Sequence, residues 1–114
     1  MQKIKYSIII PCFNEENNLQ LLLKSLTKIH NKKSLEIIIV DNGSTDNSQE
    51  VLIDLIEKIQ INNLKIVSIE KNIGYGHGIM SGLKASSGDF LGWTHADLQT
   101  DVADVLKGFD LIKK

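Results

Sequence analysis

Five consecutive residues near the end of the chain, His95-Ala96-Asp97-Leu98-Gln99, combine side chains that can bind a metal ion. They follow an apolar segment, and alternate residues of an extended segment point the same way, so His95, Asp97 and Gln99 can converge. A carboxylate oxygen, an amide carbonyl and an imidazole nitrogen form a ligand set for a divalent cation, Mn²⁺ or Mg²⁺. Taken alone, this segment is better explained by Asp97 capping a turn beside a half-buried His95.

Two further polar segments stand in the same position relative to an apolar run. Pro11–Glu15 follows Ile4–Ile10, and Asp41–Asp46 follows Leu35–Val40. The apolar runs are short, continuous and rich in β-branched residues, which is typical of strands buried on both faces of a sheet. Ligands of parallel sheets bind outside the carboxyl ends of the strands, so we expect the polar segments to meet at one edge.

The elements that position these segments alternate between strands and helices. Apolar residues at three- and four-residue steps predict four helices, over Glu15–Ile29, from a cap at Asp46 through Ile59, over Gly74–Ala85 and over Asp101–Ile112. Two more apolar runs, Leu64–Ile69 and Asp89–Trp93, predict additional strands. The order β-α-β-α-β-α-β-α indicates an α/β fold, a Rossmann-like parallel sheet with helices on both faces.

Length and composition limit the class of protein. The 114 residues fit one domain, and 42% hydrophobic residues is ordinary for a globular core. A net charge of −1 gives no basis for a nucleic-acid partner. The single cysteine, Cys12, excludes an intramolecular disulfide, suits the cytoplasm and is expected to be packed and unreactive. No apolar run approaches the length of a membrane span, so we expect a soluble chain.

The glycine motifs that bind phosphates in other nucleotide-binding folds do not occur. After its first strand the chain has Pro-Cys-Phe-Asn-Glu-Glu where a dinucleotide-binding fold has Gly-x-Gly-x-x-Gly, and it lacks Gly-x-x-x-x-Gly-Lys-Ser/Thr. The segment Gly74–Gly78 has the wrong spacing, and close backbone packing at a helix start explains it better than phosphate contact. A bound diphosphate would therefore need a cation as its source of positive charge.

Taken together, four segments resemble the inverting family-two glycosyltransferases with the GT-A fold, and within them the dolichyl-phosphate-mannose-synthase-like group. The segments are Ser7–Glu16, Ile39–Asp46, Asn72–Gly74 with Gly88-Asp89, and His95–Gln99, in the family's order and usual spacing. The resemblance covers nearly the whole chain. It implies metal-assisted transfer of a glycosyl group, with inversion, from a UDP- or GDP-linked sugar to an acceptor, which the resemblance indicates is a polyprenyl phosphate or a cell-envelope glycan.

The resemblance also implies which residues bind the nucleotide. Pro11, Phe13 and Glu15 match positions that line the pocket for the base and ribose. Asp41 matches the carboxylate that accepts a hydrogen bond from a base N–H, and Val40 precedes it in the same site. A buried acceptor of this kind discriminates between bases in a way that an apolar wall cannot.

His95, Ala96 and Asp97 match the Asp-x-Asp region of the family. Asp97 corresponds to the second acidic residue, which binds the metal that bridges the diphosphate, and Gln99 to a further metal ligand. His95 replaces the first acidic residue. A neutral imidazole can still bind Mn²⁺, but it removes one negative charge and suits Mg²⁺ less well.

Family members are usually much longer, and their acceptor-binding half follows the Asp-x-Asp region and supplies the general base. We therefore interpret residues 1–114 as one sugar-nucleotide-binding domain without its acceptor half. We name no catalytic base, and we expect self-association and a cytoplasmic location, peripheral at a membrane. Two other functions stay open: a binding-only module for a nucleotide or partner, and a nucleotidyltransferase, although Pro11–Glu16 lacks the glycine- and arginine-rich loop of the latter.

Overall fold

A computed structural model describes residue 4 and the ranges 6–27, 34–58, 63–88 and 90–93. These residues form four strands, Tyr6–Cys12 (β1), Leu35–Asn42 (β2), Leu64–Ile69 (β3) and Phe90–Trp93 (β4). They also form three helices, Leu19–Leu26 (α1), Ser48–Lys58 (α2) and Tyr75–Ala85 (α3). None of these three helices is long and apolar enough to cross a membrane. The helix predicted over Asp101–Ile112 lies outside the described residues.

The four strands form one parallel sheet in the order β3-β2-β1-β4. The chain builds the sheet outward from β1 through β2 to β3 and then returns to the other side of β1 with β4. This reversal places a topological switch point between β1 and β4, where α/β folds bind their ligands. The predicted α/β class and parallel sheet are confirmed.

Helices cover both faces of the sheet, as predicted. The leucine stripe of α1, Leu19, Leu22, Leu23 and Leu26, is fully buried with Leu52 of α2 against one set of alternating strand residues, Ile8, Ile10, Ile37 and Ile39. The other face of the strands presents Ile9, Ile38 and Val40 to Leu83 and Ala85 at the end of α3. Because both faces are buried, the middle of each central strand is apolar at every position, over Ile8–Ile10 and Ile37–Val40.

Close approach of α3 to the sheet explains two of its glycines. A β-carbon on Gly82 would lie 2.5 Å from Cγ2 of Ile9, and one on Gly78 would lie 2.8 Å from Nδ2 of Asn42. These glycines, four residues apart, let the helix backbone pack against β1 and β2. The prediction of close backbone packing is confirmed at Gly78, whereas a β-carbon on Gly76 would meet no described atom within 4 Å.

Three predicted boundaries at the carboxyl edge of the sheet are wrong, and β1 begins at Tyr6 instead of Ile4. The strands β1 and β2 each continue two residues past the predicted ends, because parallel pairing carries on through Pro11 with Val40 and Cys12 with Asp41. Asp41 therefore lies in a strand and not in the following turn. The first helix begins at Leu19 instead of Glu15, since residues 16–18 form a turn in which the N–H of Asn18 donates to the carbonyl oxygen of Glu15 at 2.9 Å.

A charged residue, Glu36, is buried at the opposite end of the sheet with an exposed fraction of 3%. Its Oε1 accepts hydrogen bonds from Ser7 Oγ and the Ser87 N–H, both at 2.9 Å, and Lys65 Nζ lies 2.8 Å from Oε2. Ser7 Oγ in turn accepts the Gly88 N–H at 3.0 Å. This Glu36 cluster joins β1, β2 and β3 to the segment that leads into β4.

Hydrogen bonding decides the ionisation of Glu36. Desolvation by burial acts to raise the pKa of its carboxyl group, but hydrogen bonds from Lys65, Ser87 and Ser7 outweigh it, so the pKa lies below its ordinary value of 4.5. Since the pKa of the carboxyl group is lower in the folded chain than in the unfolded chain, the ionised form of Glu36 stabilises the fold. That contribution is present above about pH 4.5 and is lost as the pH falls through the lowered pKa.

Replacing Glu36 with Gln should therefore lower the free energy of unfolding by about 1–3 kcal/mol near pH 7, because charge-assisted hydrogen bonds are lost. Urea unfolding followed by circular dichroism measures the change, with Glu57→Gln on the exposed side of α2 as the matched control. The difference between wild type and Glu36→Gln should shrink as the pH falls below 4.5. A difference that is independent of pH would contradict the assigned ionisation.

Candidate functional site

Five of the residues predicted to bind a nucleotide lie together where β1 and β2 end. Pro11 pairs with Val40 in the sheet, and the next pair, Cys12 with Asp41, places the Asp41 carboxylate beside the start of the β1–α1 loop. Phe13 and Glu15 follow in that loop. The side chain of Phe13 is 43% exposed, which is unusual for a phenylalanine at the end of a buried strand. The roles of these residues stay predictions, but the structure brings them to one edge, next to the switch point.

Asp41 is the most buried carboxylate at this edge, with an exposed fraction of 5%. Its Oδ1 accepts the N–H of Ser44 at 3.3 Å, an Asx-type bond that folds the β2–α2 loop back over the strand end. Within the described part of the chain, Oδ2 accepts no hydrogen bond. The side chain is thus held by one oxygen, while the other can accept a bond from a ligand.

Sequence reasoning missed Asn14, which connects the loops after β1 and β2. Its backbone has a φ of 54°, a left-handed conformation that Asn tolerates better than most residues. Its Oδ1 accepts the N–H groups of Thr45 at 2.7 Å and Asp46 at 3.2 Å, and its Nδ2 donates to Thr45 Oγ1 at 3.1 Å. The Asn14 N–H also donates to Ser44 Oγ at 3.1 Å. We call Asn14, Ser44, Thr45 and Asp46 the Asn14 cluster.

Two more hydrogen bonds join the same loops closer to the helix starts. The N–H of Glu15 donates to Ser48 Oγ at 2.9 Å, and the N–H of Glu16 lies 3.4 Å from Asp46 Oδ2. Asp46 Oδ1 also accepts the N–H of Ser48, the first residue of α2, at 2.9 Å, which confirms the predicted helix cap. Desolvation acts to raise the pKa of Asp46, but these hydrogen bonds outweigh it and the pKa is lowered. The carboxylate therefore stays ionised.

The loop after β3 contacts the loop after β2. Gly43 has a φ of 71°, and a β-carbon there would overlap the backbone nitrogen of Asn72 and lie 2.7 Å from the carbonyl carbon of Lys71. The buried Asn42 side chain donates from Nδ2 to the carbonyl oxygen of Gly74 at 3.2 Å. All three described loops at this edge are consequently held against one another.

Cys12 lies inside this edge but is not activated. Burial, followed by the negative charges of Glu15 and Asp41, raises the pKa of its thiol to about 12. The thiolate that nucleophilic or metal-binding chemistry needs is therefore scarce at neutral pH. The prediction that Cys12 is packed is confirmed.

The predicted metal ligands His95, Asp97 and Gln99 lie outside the described residues, together with Ala96. Among the residues that the structure does describe, no group of three or more His, Cys, Asp or Glu side chains could hold a metal ion. His77 is exposed on the first turn of α3. The cation site stays a prediction for residues 95–99.

Comparison with known proteins decides the family. The model of the family described as glycosyl transferase family 2 matches residues 7–114. The chain belongs to glycosyl transferase family 2. Among its relatives is a dolichyl-phosphate beta-glucosyltransferase of Dictyostelium discoideum, which is 30% identical over all of this chain and 37% of the relative. Another is an undecaprenyl-phosphate 4-deoxy-4-formamido-L-arabinose transferase of Photorhabdus laumondii, which is 35% identical over 89% of this chain and 31% of the relative.

Solved structures agree with the family at the level of the fold. The S. aureus protein TarS, residues 1–349, in complex with UDP-GlcNAc is 28% identical, with a TM-score of 0.77 over 96% of this chain and 31% of TarS. The mannosyltransferase PcManGT of Pyrobaculum calidifontis, in complex with GDP-Man and Mn²⁺, is 22% identical, with a TM-score of 0.79 over 93% of this chain and 31% of the enzyme. This family-two chain thus has a GT-A-like fold and spans about a third of the length of the proteins it matches.

Proposed function

We propose that this family-two chain is the donor-binding domain of a glycosyltransferase, and that it binds a UDP- or GDP-linked sugar at the edge formed by β1 and β2. The observation that carries the proposal is the buried Asp41 carboxylate, held by Ser44 through one oxygen while the other accepts no bond from described residues. A base N–H is a donor of the right kind for that oxygen, and its burial against an acceptor would select one base over another.

The surroundings of Asp41 suit a nucleoside. Phe13 presents an exposed aromatic ring at the start of the neighbouring loop, and such a ring can stack on a base. Glu15 lies two residues further on, and its carboxylate can accept hydrogen bonds from ribose hydroxyl groups. Pro11 and Val40 form the buried, paired floor of the strands beneath these groups. The relative TarS, which was solved with UDP and with UDP-GlcNAc, supports a uridine nucleotide as the first ligand to test.

A diphosphate bound here also needs positive charge. Among the described residues, the three loops at this edge carry the acidic Glu15, Glu16 and Asp46, beside Asp41 at the end of β2, and Lys71 is a single cation among these acidic groups. We therefore assign a divalent cation to Asp97 and Gln99, with His95 as the third side chain and Ala96 between them. When bound, such a cation would neutralise the nucleoside diphosphate as it leaves the sugar.

The acceptor that we propose is a polyprenyl phosphate. The two relatives described above are named as a dolichyl-phosphate and an undecaprenyl-phosphate transferase, and both names specify a lipid-linked phosphate. A chain that serves such an acceptor would work at the membrane surface from the cytoplasmic side. Transfer with inversion would require a general base and acceptor contacts from residues other than those at the β1–β2 edge.

Replacing Asp97 with Ala should abolish the gain in nucleotide affinity that Mn²⁺ produces, while leaving the affinity without metal within about twofold of wild type. Calorimetric titration with UDP and GDP, with and without Mn²⁺, measures both quantities. Asp54→Ala, on the exposed side of α2, is the control that removes a carboxylate elsewhere. An unchanged metal dependence in Asp97→Ala would overturn the assignment of the cation.

A binding-only module is the second function to test, because the chain spans only about a third of its relatives. An assay for slow hydrolysis of the sugar nucleotide by the purified chain distinguishes a transferase domain from a binding-only module. The release of UDP or GDP measures the hydrolysis. Turnover that requires a divalent cation would favour a transferase domain. Binding without turnover under any metal would favour the binding-only module.

A further inference from the structure

Asn14 is the most extensively hydrogen-bonded side chain at the β1–β2 edge, although it lies on the exposed surface. Its two side-chain atoms make four contacts with Thr45 and Asp46, between 2.7 and 3.3 Å. Its backbone is held in the left-handed region at a φ of 54°. Both features direct the Asn14 carboxamide across to the β2–α2 loop. Its partner Thr45 lies 31 positions further along the chain.

The position of Asn14 gives these contacts a consequence for the site. Asn14 stands between Phe13 and Glu15, and the N–H groups that it accepts follow Asp41 within the next loop. The Asn14 side chain therefore joins the two sides of the proposed nucleotide pocket at the point nearest Phe13, in addition to the backbone N–H groups of residues 14–16 that donate to the same loop and the start of α2. Loss of that side chain would loosen the contact between the loops next to Phe13 while leaving every strand of the sheet paired, since sheet pairing ends at Cys12 and Asn42.

We propose that Asn14 is a positioning residue that sets the distance between Phe13 with Glu15 on one side and Asp41 on the other. The inference rests on the proposed nucleotide site and adds a residue that acts without touching the ligand. Preorganised loops bind more tightly because less ordering is required on association. Hydrogen bonds at an exposed position contribute little net stability, so Asn14 should affect binding more strongly than folding.

The test compares Asn14→Gly with Asn63→Gly. Asn63 is the other described non-glycine residue with a positive φ, 59°, and its side chain is exposed at the opposite end of the sheet. Glycine suits both backbones, so each variant removes only a side chain. Titration of wild type with UDP and GDP first identifies the nucleotide that binds. We expect Asn14→Gly to lower its affinity about tenfold and Asn63→Gly to leave it within about twofold.

A second readout separates positioning from general loosening. The same nucleotide methylated on the base N–H that Asp41 would accept should bind wild type more weakly. In Asn14→Gly the ratio of affinities for the normal and the methylated nucleotide should fall together with the affinity for the normal one. Asn14→Asp retains the Oδ1 acceptor and should restore most of that ratio. Equal losses for the normal and methylated nucleotides, or wild-type affinity in Asn14→Gly, would overturn the inference.

Two outcomes fall outside this comparison. If wild type binds neither nucleotide, the proposed function fails and the positioning role falls with it, whereas a wild type that binds isolates the role of Asn14. If Asn14→Gly does not fold, Thr45→Ala decides, because it removes the contacts of Thr45 Oγ1 with Asn14 and leaves the backbone unchanged. We expect about a threefold loss of affinity in Thr45→Ala; unchanged affinity would overturn the inference.

Discussion

Replacement of Asp41 by Asn is expected to weaken binding of the cognate nucleotide about 30-fold, equivalent to roughly 2 kcal/mol. Asn has the same shape, so packing at the end of β2 is retained. One of its two terminal atoms becomes a donor, however, and the side chain has only one oxygen to share between the Ser44 N–H and the ligand. Either the loop or the base N–H then loses its acceptor, and the unpaired group costs its full desolvation.

Isothermal titration with UDP and GDP measures this effect, and Asp54→Asn is the matched control. Asp54 is exposed on α2, so the control makes the same change of charge away from the site. The control should bind as wild type does. Equal affinity of Asp41→Asn and wild type would show that Asp41 does not accept a hydrogen bond from the base.

Replacement of Gly43 by Ala is expected to have the largest effect on stability, a loss of about 2–4 kcal/mol in the free energy of unfolding. The backbone at Gly43 has a φ of 71°, which an L side chain adopts at a cost. The added methyl group would also overlap the backbone of Lys71 and Asn72, which cannot move away as a flexible side chain would. Relief of the overlap requires the β2–α2 loop to shift, and the shift would disturb Asp41 as well.

Gly76→Ala provides the control for this prediction. A β-carbon at Gly76 meets no described atom within 4 Å, and the residue lies in the first turn of α3, where Ala is the better helix former. We expect Gly76→Ala to be neutral or more stable by up to about 1 kcal/mol. Chemical unfolding of both variants checks the pair, and equal stability of Gly43→Ala and wild type would contradict the close approach of the two loops.

The fold could be predicted from the sequence because its signals are local. Runs such as Ile37–Val40 identify strands buried on both faces, and the leucine spacing of Leu19–Leu26 identifies the buried side of a helix. Alternation of the two then leaves a parallel sheet as the expected arrangement. The position of Asp41 at the carboxyl end of a strand could be predicted for the same reason, since the residue directly follows an apolar run.

The features that were missed depend on partners far along the chain. Periodicity shows which side of an element is buried, but it does not show that Glu36 meets Ser87, 51 positions away, or that Asn14 meets Thr45. Two signals were present nonetheless. A glutamate inside an apolar strand requires buried partners, and an Asn two residues after the end of a strand suits a left-handed turn.

The most direct test of the central claim is a two-dimensional NMR titration of the isotope-labelled chain with UDP and with GDP. One nucleotide should shift backbone amide signals of residues 12–16 and 41–46, at the edge where β1 and β2 end. Signals near the Glu36 cluster at the opposite end of the sheet, such as those of Ser34 and Gly88, should stay unchanged. Absence of shifts with both nucleotides at millimolar concentration, or shifts concentrated at that opposite end, would contradict a nucleotide site built on Asp41.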